Sequence, residues 1–390
     1  MSETVVVLGG GVAGLSAAHE LVERGFDVEV YEKRSLFGGK ARSVDVPNSA
    51  TDGRRPLPGE HGFRFFPSFY RHIFDTMRRI PFEQNDQGVY DNLVETDTWM
   101  TARAGDAEVK LPVDLPDSIE DWQMVFDGLF GDMFDLTDEE SRVFAGRLLT
   151  FLTSCEERRR EEYEHIDWWE FIRADEMSDK YRRLFATGVT RSLVAMRPEQ
   201  SSTRTVGQIY LQLLFGVLFP WLDVDRLLNG PTNEVWLDPW VDYLKEEGVE
   251  FYPSAPVESI DFEYGEISGV EVASGSGTQT VEGDYYIAAL PVEVMVELVD
   301  DTLADEAPSL ADIDKLDTAW MNGIQFYLDE DVRINEGHTI FSHSPWALTM
   351  ISQNQFWDEV ALSDYGNGKV DGILSLCISN WEKEGIEVEK

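Results

Sequence analysis

A glycine pattern near the N-terminus, Gly9-x-Gly11-x-x-Gly14, constrains the fold of this 390-residue chain more than any other feature. The apolar run Val5–Leu8 precedes it, and apolar residues at helical spacing follow it as far as Val22. An uninterrupted apolar run is typical of a parallel strand that is buried on both faces. The pattern therefore predicts a strand, a tight glycine turn and a helix, in that order.

Each glycine of this turn has its own task in a dinucleotide-binding unit. Gly9 permits the tight turn, Gly11 lets a pyrophosphate approach the backbone, and Gly14 lets the helix and the strand pack closely. The first helical residues, Val12 and Ala13, add backbone amides and a dipole that favours phosphate. The glycines therefore predict a phosphate site at the head of the helix.

A second predicted strand, Val28–Tyr31, ends at Glu32, which is 18 residues beyond Gly14. A carboxylate at this place can accept both hydroxyls of a ribose, and it disfavours a 2′-phosphate, which argues against NADP. Strand, helix, strand and terminal acid in register are far more specific than the glycines alone. We therefore predict a site for NAD or FAD.

The segment after the second strand bears on the choice between these cofactors. It runs into Gly38–Arg42 and then Glu60–Phe63, where an NAD-dependent dehydrogenase would continue into a second βαβ half. Gly39 brings backbone amides near a ligand, and Lys40 and Arg42 offer cations in a chain that has few. The alternative is an ordinary turn with two exposed basic residues.

Acidic residues dominate the composition, with 74 Asp and Glu against 32 Lys and Arg and a net charge of −42. They recur along the whole chain, and its aromatic content of 12% is that of a folded protein. Such a surface repels nucleic-acid phosphates, so we exclude nucleic acid as a partner. The pattern favours a salt-adapted protein over a charge-specific binding role, and we expect stability to rise with salt.

Neither a metal site nor a membrane span is predicted. Cys155 and Cys377 form no CxxC pair, and the six histidines are scattered without an HExxH pattern. The apolar stretch Ile209–Leu222 is interrupted by polar and proline residues and is too short to cross a bilayer. We therefore expect a cytoplasmic protein without a metal.

The pattern along the chain predicts an α/β fold with two domains. A discontinuous Rossmann-like dinucleotide-binding domain takes residues 1–90 and 230–300. A helical insertion, from about Ser118 to Leu228, belongs with a second, α+β substrate domain that takes residues 91–229 and 301–390. The later strand candidates are Ile267–Ala273, Gln279–Val281, Tyr285–Leu290, Gly323–Leu328, Ala347–Ile351 and Gly372–Ile378.

Residues 5–43 resemble the N-terminus of the flavin amine oxidase and phytoene desaturase superfamily. That family continues its βαβ unit with an acid and then a GG-(Arg/Lys) element eight residues on, as Glu32 and Lys40 are placed here. The resemblance implies an FAD-binding domain, with the turn Gly9–Gly14 at the pyrophosphate and Glu32 at the adenosine ribose. It places Lys40 near the phosphates or the flavin, although arginine is usual there.

The resemblance extends over most of the chain. Residues 255–260 are similar to the segment whose valine, Val257 here, meets adenine through its backbone, and Tyr285–Pro291 resembles the strand that returns beneath the cofactor. Residues 60–82 and 230–249 look most like the hydroxysqualene dehydroxylase and carotenoid-desaturase-like branch. The predicted cofactor-binding residues are Gly9, Gly11, Val12, Ala13, Gly14, Glu32, Lys33, Gly39, Lys40, Arg42, His61, Gly62 and Val257.

The C-terminal end departs from the family pattern. Family members end with a further glycine-containing segment and a helix that close over the flavin and the pyrophosphate, and no such segment follows Gly372–Ile378 before Lys390. The alternatives are a truncated sequence, a segment supplied by another chain, or a weakly held flavin. We expect truncation.

His61 and Arg64 are the candidate catalytic residues, because they follow the loop expected to approach the flavin ring. Arg64 would stabilise negative charge at the reduced flavin or orient a substrate oxygen; the alternative is a surface ion pair beside core phenylalanines. Apolar runs around Trp168 and at Phe215–Leu222 either line a tunnel for a long isoprenoid or form the insertion's own core. Apolar runs form a core more often than they line a tunnel, so we favour the core of the insertion.

We therefore predict an FAD-dependent oxidoreductase that acts on an apolar, isoprenoid or squalene-type substrate by hydride transfer at flavin N5. Its expected partner is a lipophilic small molecule, with a transient membrane contact of an otherwise cytoplasmic chain as one way to collect it. A flavin amine oxidase and a non-catalytic nucleotide-binding remnant are the alternatives. The sequence carries no prediction of oligomeric state.

Overall fold

A computed structural model describes residues 2–96, 98–102, 109–112, 136–218, 225–275, 277–341 and 344–381. Of the predicted apolar run Phe215–Leu222, the side chains as far as Leu218 and all later residues lie outside this description, as do the whole of the stretch 113–135 and His343. Every statement below concerns the described residues.

Strands predominate in the first third and the last third of the chain. In chain order the strands are β1 (Thr4–Leu8), β2 (Asp27–Glu32), β3 (Ser43–Asp45), β4 (Pro58–Glu60), β5 (Leu93–Glu95), β6 (Thr98–Ala102), β7 (Val109–Pro112), β8 (Arg226–Leu228), β9 (Glu250–Pro253), β10 (Val257–Glu263), β11 (Glu266–Ser274), β12 (Gly277–Val281), β13 (Tyr285–Ala288), β14 (Asn322–Leu328), β15 (Gly337–Phe341), β16 (Leu348–Ser352) and β17 (Gly372–Ile378).

The helices concentrate in the middle of the chain. They are α1 (Val12–Val22), α2 (Arg71–Arg79), α3 (Asp138–Leu152), α4 (Glu156–Glu161), α5 (Trp168–Phe171), α6 (Asp179–Tyr181), α7 (Val189–Val194), α8 (Thr203–Leu218), α9 (Asp238–Glu246), α10 (Val292–Leu298), α11 (Asp301–Glu306) and α12 (Pro308–Ala311). A 3₁₀ turn at Gly39–Ala41 and π-helical turns at Arg182–Gly188 and Asn233–Leu237 join them.

The predicted strand–turn–helix–strand unit is confirmed. β1 and β2 lie parallel, with α1 between them in sequence, and Val6 and Val7 of β1 are fully buried. Burial of successive residues means that both faces of the strand are covered, as the uninterrupted apolar run predicts. β9 and β13 complete a four-stranded parallel sheet in the order β13-β1-β2-β9.

Helix α9 packs against helix α1 of the dinucleotide-binding unit. Trp240 and Leu244 of α9 are fully buried in the core that also holds Leu15 of α1. The Trp240 indole Nε1 donates a hydrogen bond of 3.0 Å to Nδ1 of His19, which is itself fully buried on α1. This contact fixes the helix whose N-terminus faces the glycine turn.

A second, six-stranded sheet has the order β14-β17-β16-β15-β6-β7. Only β15 and β6 run parallel to each other, and the other neighbours are antiparallel. Strands from before and after the central helices therefore share this sheet, while the boundaries between the two domains stay a prediction. The strand β15 was not predicted, because Gly337 and His338 break its apolar pattern.

The predicted hairpin is part of a three-stranded antiparallel sheet, β10-β11-β12. β11 and β12 confirm the two predicted strands. β10 was missed, since Glu258, Asp261 and Glu263 make it read as a polar segment. In an acidic chain, charge marks the solvent side of a strand as readily as it marks a loop.

The central helices form a core of their own. The Phe144 and Phe185 rings stack at 3.7 Å between centroids, and Trp168 is fully buried beside them. Helix α3 begins with a capping box between Thr137 and Glu140. Trp168 and Phe171 are therefore core residues of the insertion, as favoured above. No helix in the described ranges has the length and the apolar character needed to span a bilayer.

Candidate cofactor site

The first glycine turn has no room for side chains at two of its three glycines. A Cβ on Gly14 would lie 1.9 Å from the Gly9 carbonyl oxygen, and one on Gly9 would lie 2.5 Å from the Ala289 carbonyl oxygen. At Gly11, by contrast, the nearest atom to an added Cβ is 3.6 Å away. The turn is closed towards the protein and open at Gly11, which is the shape that an approaching phosphate requires.

The N-terminus of α1 adds amide donors to this opening. Gly11 is the N-cap residue and offers no side chain, and its carbonyl accepts a bond of 2.9 Å from Leu15. The backbone amides of Val12, Ala13 and Gly14, at the start of the helix, do not donate to a capping side chain, and Ala13 is exposed. An uncapped helix start of this kind is a general anion site.

Glu32 faces the glycine turn from the end of β2. Its side chain is 6% exposed, its Oε2 accepts a bond of 2.9 Å from the Gly10 amide, and its Oε1 accepts one of 3.0 Å from the Arg34 amide. Each carboxylate oxygen keeps a further lone pair, so the group can still accept ribose hydroxyls. Lys33 is exposed next to it.

Val257 lies close to the same strand end. The Ala255 amide donates a bond of 2.9 Å to the Glu32 carbonyl, and Val257 begins β10 two residues later. The structure therefore brings this predicted adenine contact to the side of the site where Glu32 stands.

A second glycine pair packs directly on the first turn. The Gly38 amide donates a bond of 2.7 Å to the Gly10 carbonyl, and a Cβ on Gly39 would lie 2.9 Å from the Gly11 Cα. Gly38 and Gly39 have φ values of 101° and 58°, in the left-handed region that favours glycine. This close backbone contact argues against the alternative of an ordinary surface turn.

The basic residues after this pair differ in exposure. The Lys40 side chain is 81% exposed and lies 3.3 Å from the Glu293 carboxylate, whereas Arg42 is half-buried and donates to the Gly39 carbonyl. Lys40 is thus free to reorient towards a ligand, while Arg42 is held against the loop.

His61 and Gly62 lie on the neighbouring loop. Gly62 is buried with a φ of 102°, and a Cβ there would lie 2.6 Å from the Cys377 sulfur. Burial lowers the pKa of His61, and the nearby guanidinium groups of Arg42 and Arg64 lower it further. The lowered pKa favours the neutral imidazole, which has one donor nitrogen and one acceptor nitrogen.

Arg64 is mostly buried, so it is not a surface ion-pair partner. Its side chain is 18% exposed; Nε donates to the Ala41 carbonyl at 3.0 Å and Nη2 to the Lys40 carbonyl at 3.4 Å. Its carboxylate partner is Glu60, at 3.7 Å. The guanidinium therefore connects the loop of His61 to the loop of Gly39.

The phenylalanines around Arg64 belong to the core. Phe66 is buried, and the rings of Phe63 and Phe65 contact His338 at centroid distances of 4.9 and 5.3 Å. A small cavity adjoins Arg64 between this loop and the six-stranded sheet. Its lining residues are Phe63, Arg64, Leu227, Leu228, Thr232, Ile351, Gln353 and Phe356.

Sequence reasoning missed the residues that hold these loops together, namely Ser43, Glu60 and Thr232. All three are buried polar residues, and Ser43 and Thr232 each donate a hydrogen bond to the Glu60 carboxylate. The available signal was Glu60 itself, a charged residue between Gly59 and the apolar run that follows Gly62.

A parallel sheet, a glycine turn at the head of α1 and a carboxylate at the end of β2 define a dinucleotide-binding fold. The chain belongs to the flavin containing amine oxidoreductase family, whose model matches residues 12–384. The predicted superfamily and the predicted α/β fold are confirmed. Membership implies a flavin cofactor, and the glycine cradle and Glu32 fit the diphosphate and the ribose of such a nucleotide.

Curated relatives include carotenoid desaturases. The chain is 25% identical over 340 residues to a zeta-carotene desaturase of Synechocystis sp., covering 83% of this chain and 65% of that protein. It is 24% identical over 349 residues to a 15-cis-phytoene desaturase of Synechococcus elongatus, covering 87% and 68%. The chain thus spans about two thirds of the length of these relatives.

Solved structures share the fold at low identity. An oxidoreductase from Methanosarcina mazei superimposes with a TM-score of 0.66 and 13% identity, covering 99% of this chain and 81% of that chain. A putrescine oxidase with bound putrescine superimposes with a TM-score of 0.59 and 13% identity, covering 99% and 79%. These likenesses support the fold alone.

Proposed function

We propose that the chain is an FAD-dependent oxidoreductase that acts on an apolar, isoprenoid-type substrate. The observation that carries the proposal is the Glu32 carboxylate, which faces a glycine cradle at the uncapped head of α1. A carboxylate with spare lone pairs beside an anion site matches the two polar parts of an adenosine diphosphate, the ribose and the pyrophosphate.

The chain's own groups divide the work of holding FAD. Gly9 and Gly14 allow the tight turn and the close packing of helix and strand, Gly11 leaves space for the pyrophosphate, and the amides of Val12 and Ala13 donate to it. The remaining proposed contacts come from Glu32, Lys33, Gly39, Lys40, Arg42, His61, Gly62 and Val257. When bound, FAD supplies two-electron chemistry by exchanging a hydride at N5.

His61 and Arg64 are the proposed groups on the reacting side. Neutral His61 orients or relays a proton without adding charge, while the Arg64 guanidinium presents a fixed positive charge beside the cavity. Such a charge favours electron density on the flavin or on a substrate oxygen. Phe63 and the apolar lining of the cavity exclude water from the same place.

The proposed substrate class rests on the curated relatives, two of which act in name on carotenoids. Desaturation would transfer a hydride from one substrate carbon to the flavin and a proton from the neighbouring carbon to a base or to water, which leaves a C=C bond. Reductive removal of a hydroxyl from a squalene-type substrate would run the hydride the other way: an external electron donor first reduces the flavin, the hydride goes to carbon, and the protonated hydroxyl leaves as water. Amine oxidation is the second candidate, because the family model describes amine oxidoreductases.

We also propose a cytoplasmic chain that meets a membrane transiently to collect a lipophilic substrate. Exposed apolar side chains support this contact: Trp320 is 72%, Met321 49% and Phe326 49% exposed, on or just before β14. No charged residue lies between Thr318 and Leu328, so desolvation of this surface costs little. Flotation with neutral-lipid vesicles tests it, and Trp320→Ser should reduce recovery.

The cofactor is tested by the visible spectrum. Protein purified in molar KCl with FAD should keep its flavin absorption after desalting, and Glu32→Ala should lose it because the ribose loses its acceptor. Glu29→Ala removes a carboxylate from the same strand and is the matched control, with full retention expected. A colourless wild-type protein, or equal retention in both variants, would contradict the proposal.

The substrate is tested by product analysis. The reconstituted protein is incubated with phytoene, hydroxysqualene and simple amines, and the products are separated by chromatography. Conversion of an isoprenoid supports the first candidate, whereas amine turnover with no isoprenoid product replaces it by the second.

A further inference from the structure

Glu60 is a buried carboxylate that joins segments far apart in the sequence. Its Oε1 accepts bonds from the Ser43 hydroxyl at 2.8 Å and from the Thr232 amide at 2.9 Å, and its Oε2 accepts one from the Thr232 hydroxyl at 3.0 Å. The side chain is 1% exposed, and this burial raises the pKa of Glu60. A group that is costly to bury needs compensating contacts, and here three hydrogen bonds come from two distant parts of the chain.

Arg64 continues the connection from Glu60 to the second glycine loop. Its Nη2 lies 3.7 Å from Glu60 Oε2 and donates to the Lys40 carbonyl at 3.4 Å, while its Nε donates to the Ala41 carbonyl at 3.0 Å. Those two carbonyls belong to the turn that follows Gly39. The Arg64 charge and the hydrogen bonds donated by Thr232 and Ser43 oppose the effect of burial and favour the ionised carboxylate of Glu60. Its negative charge in turn holds the guanidinium where it can bind the turn.

Ser43 and Thr232 hold the far end of the same loop. The Ser43 amide donates to Asn233 Oδ1 at 2.7 Å, and the Asn233 amide donates to Ser43 Oγ at 3.0 Å. The Glu60 amide donates to Gln325 Oε1 at 2.8 Å, which adds strand β14. The loop is therefore fixed at its turn through Arg64 and at its end through Ser43.

We propose that Glu60 is a positioning residue for the loop Gly38–Arg42, which it holds against the first glycine turn through Arg64 and Ser43. The loop's backbone lies on Gly10 and Gly11, so its position sets the width of the cradle. The assignment of FAD to that cradle rests on the proposed function, whereas the effect of Glu60 on the loop does not.

Trypsin cleavage after Lys40 measures the loop without reference to any cofactor. The Lys40 side chain is 81% exposed, so its peptide bond is cut whenever the loop opens. Glu60→Gln keeps an acceptor oxygen for Ser43 and Thr232 but removes the charge that faces Arg64. We expect cleavage after Lys40, followed by mass spectrometry, to be about tenfold faster than in the wild type.

Glu234→Gln is the matched control. Glu234 lies two residues after Thr232. Its carboxylate is 2.8 Å from the Arg55 guanidinium and accepts a hydrogen bond from the Tyr365 hydroxyl, but it has no bond to the loop Gly38–Arg42. Cleavage after Lys40 should stay within about twofold of the wild-type rate in this variant. Equal acceleration in Glu234→Gln and Glu60→Gln would overturn the proposal, since the effect would then be general destabilisation.

Two further variants protect the test against misfolding of Glu60→Gln. Arg64→Lys keeps the charge but cannot bind both carbonyls, so it should accelerate cleavage as much as Glu60→Gln does. Glu60→Asp keeps the charge at a shorter reach and should fall between that variant and the wild type. If Arg64→Lys and Glu60→Asp were both cleaved at the wild-type rate, the proposal would be overturned.

The FAD dissociation constant separates this inference from the proposed function. Titration by flavin fluorescence should give a value about tenfold higher in Glu60→Gln than in the wild type and unchanged in Glu234→Gln. If the wild type binds no FAD while the cleavage rates differ as expected, the proposed function fails and the positioning role stands. If FAD binds but Glu60→Gln is cleaved after Lys40 as slowly as the wild type, the positioning role fails and the proposed function stands.

Discussion

The loop Gly38–Arg42 lies between the first glycine turn and the set of hydrogen-bonded side chains around Glu60, which we call the junction. These two regions are built in opposite ways. The turn is built mainly from backbone atoms of one short stretch, Val5 to Glu32, and a single carboxylate, and the backbone of Gly38, Gly39 and Ala289 packs on it. The junction uses side chains from four distant parts of the chain, at Ser43, Glu60 to Arg64, Thr232 and Gln325. A site made of backbone is sensitive to added atoms, whereas a site made of side chains is sensitive to lost charges and hydrogen bonds.

The largest effect should come from adding one methyl group to the backbone-built side. In Gly14→Ala the new Cβ would meet the Gly9 carbonyl oxygen at 1.9 Å, so helix and strand must separate. We expect a loss of more than about 3 kcal/mol in the free energy of unfolding, together with loss of FAD retention. Denaturant titration in molar KCl and the visible spectrum measure the two.

Gly25→Ala is the control for that change. Gly25 has a φ of 87° but no atom within 4 Å of an added Cβ, so it carries backbone strain without a clash. A loss of about 1 kcal/mol with unchanged flavin content is expected. If Gly14→Ala behaves like Gly25→Ala, close packing of the turn is not what makes it sensitive.

A smaller effect on stability, which depends on pH, is expected at His338, whose ring contacts Phe63 and Phe65 on either side of Arg64. Burial against Phe63 and Phe65 lowers the pKa of His338 to about 4. The unfolded chain takes up a proton near pH 6.5 and the folded chain does not, so stability falls as pH decreases from 6.5 towards 4 and is constant above 6.5. Between pH 7 and pH 5 this group should remove about 2 kcal/mol.

His338→Gln isolates that contribution from the many carboxylates. Denaturant titrations of the wild type and the variant at pH 7 and pH 5 give the difference between them at each pH. The advantage of the wild type should shrink by the stated amount on acidification. A difference independent of pH would mean that the pKa of His338 is the same in the folded and the unfolded chain.

Thr232→Val tests the side-chain rule with almost no change in volume. The hydroxyl that donates to Glu60 at 3.0 Å is removed, which leaves a buried carboxylate oxygen with one partner fewer. A loss of about 1 kcal/mol and faster trypsin cleavage after Lys40 are expected. Thr232→Ser keeps the hydroxyl and should restore both values; if it does not, methyl packing and not hydrogen bonding holds the junction.

The smallest effect on stability should come from Lys40→Gln. The ammonium group is exposed and its ion pair with Glu293 is at the surface, so less than about 0.5 kcal/mol is expected. FAD affinity should nevertheless fall, and by more in low salt than in multimolar KCl, because salt screens an exposed charge. Unchanged affinity in low salt would remove Lys40 from the phosphate site.

The contrast between the two regions also explains what could be predicted. The unit from β1 to Glu32 was predicted to within a few residues, because its glycines, apolar runs and acid act over short distances. Glu60 and Thr232 acquire their roles only when residues 43, 60 and 232 meet, and no local pattern marks that meeting. Arg64 was predicted as a site residue, but its bonds to the Lys40 and Ala41 carbonyls were not, because they form only when two loops more than twenty residues apart meet.

Elements of the second sheet follow the same rule. β14, β16 and β17 were predicted from apolar runs, while β15 begins with Gly337, where a Cβ would lie 2.0 Å from the Thr98 carbonyl oxygen. That glycine is required by a strand almost 240 residues earlier in the chain. A requirement set by so distant a neighbour leaves no periodic trace in the sequence.

The pairing of β1 with β13 has a consequence for how the chain is made. Val5 lies beside Tyr285, so the outer edge of the first strand waits for a partner synthesised 280 residues later. At ordinary translation rates that delay is roughly 14 to 56 s. Throughout that interval a nascent chain carries an apolar strand edge whose native partner has not yet been made.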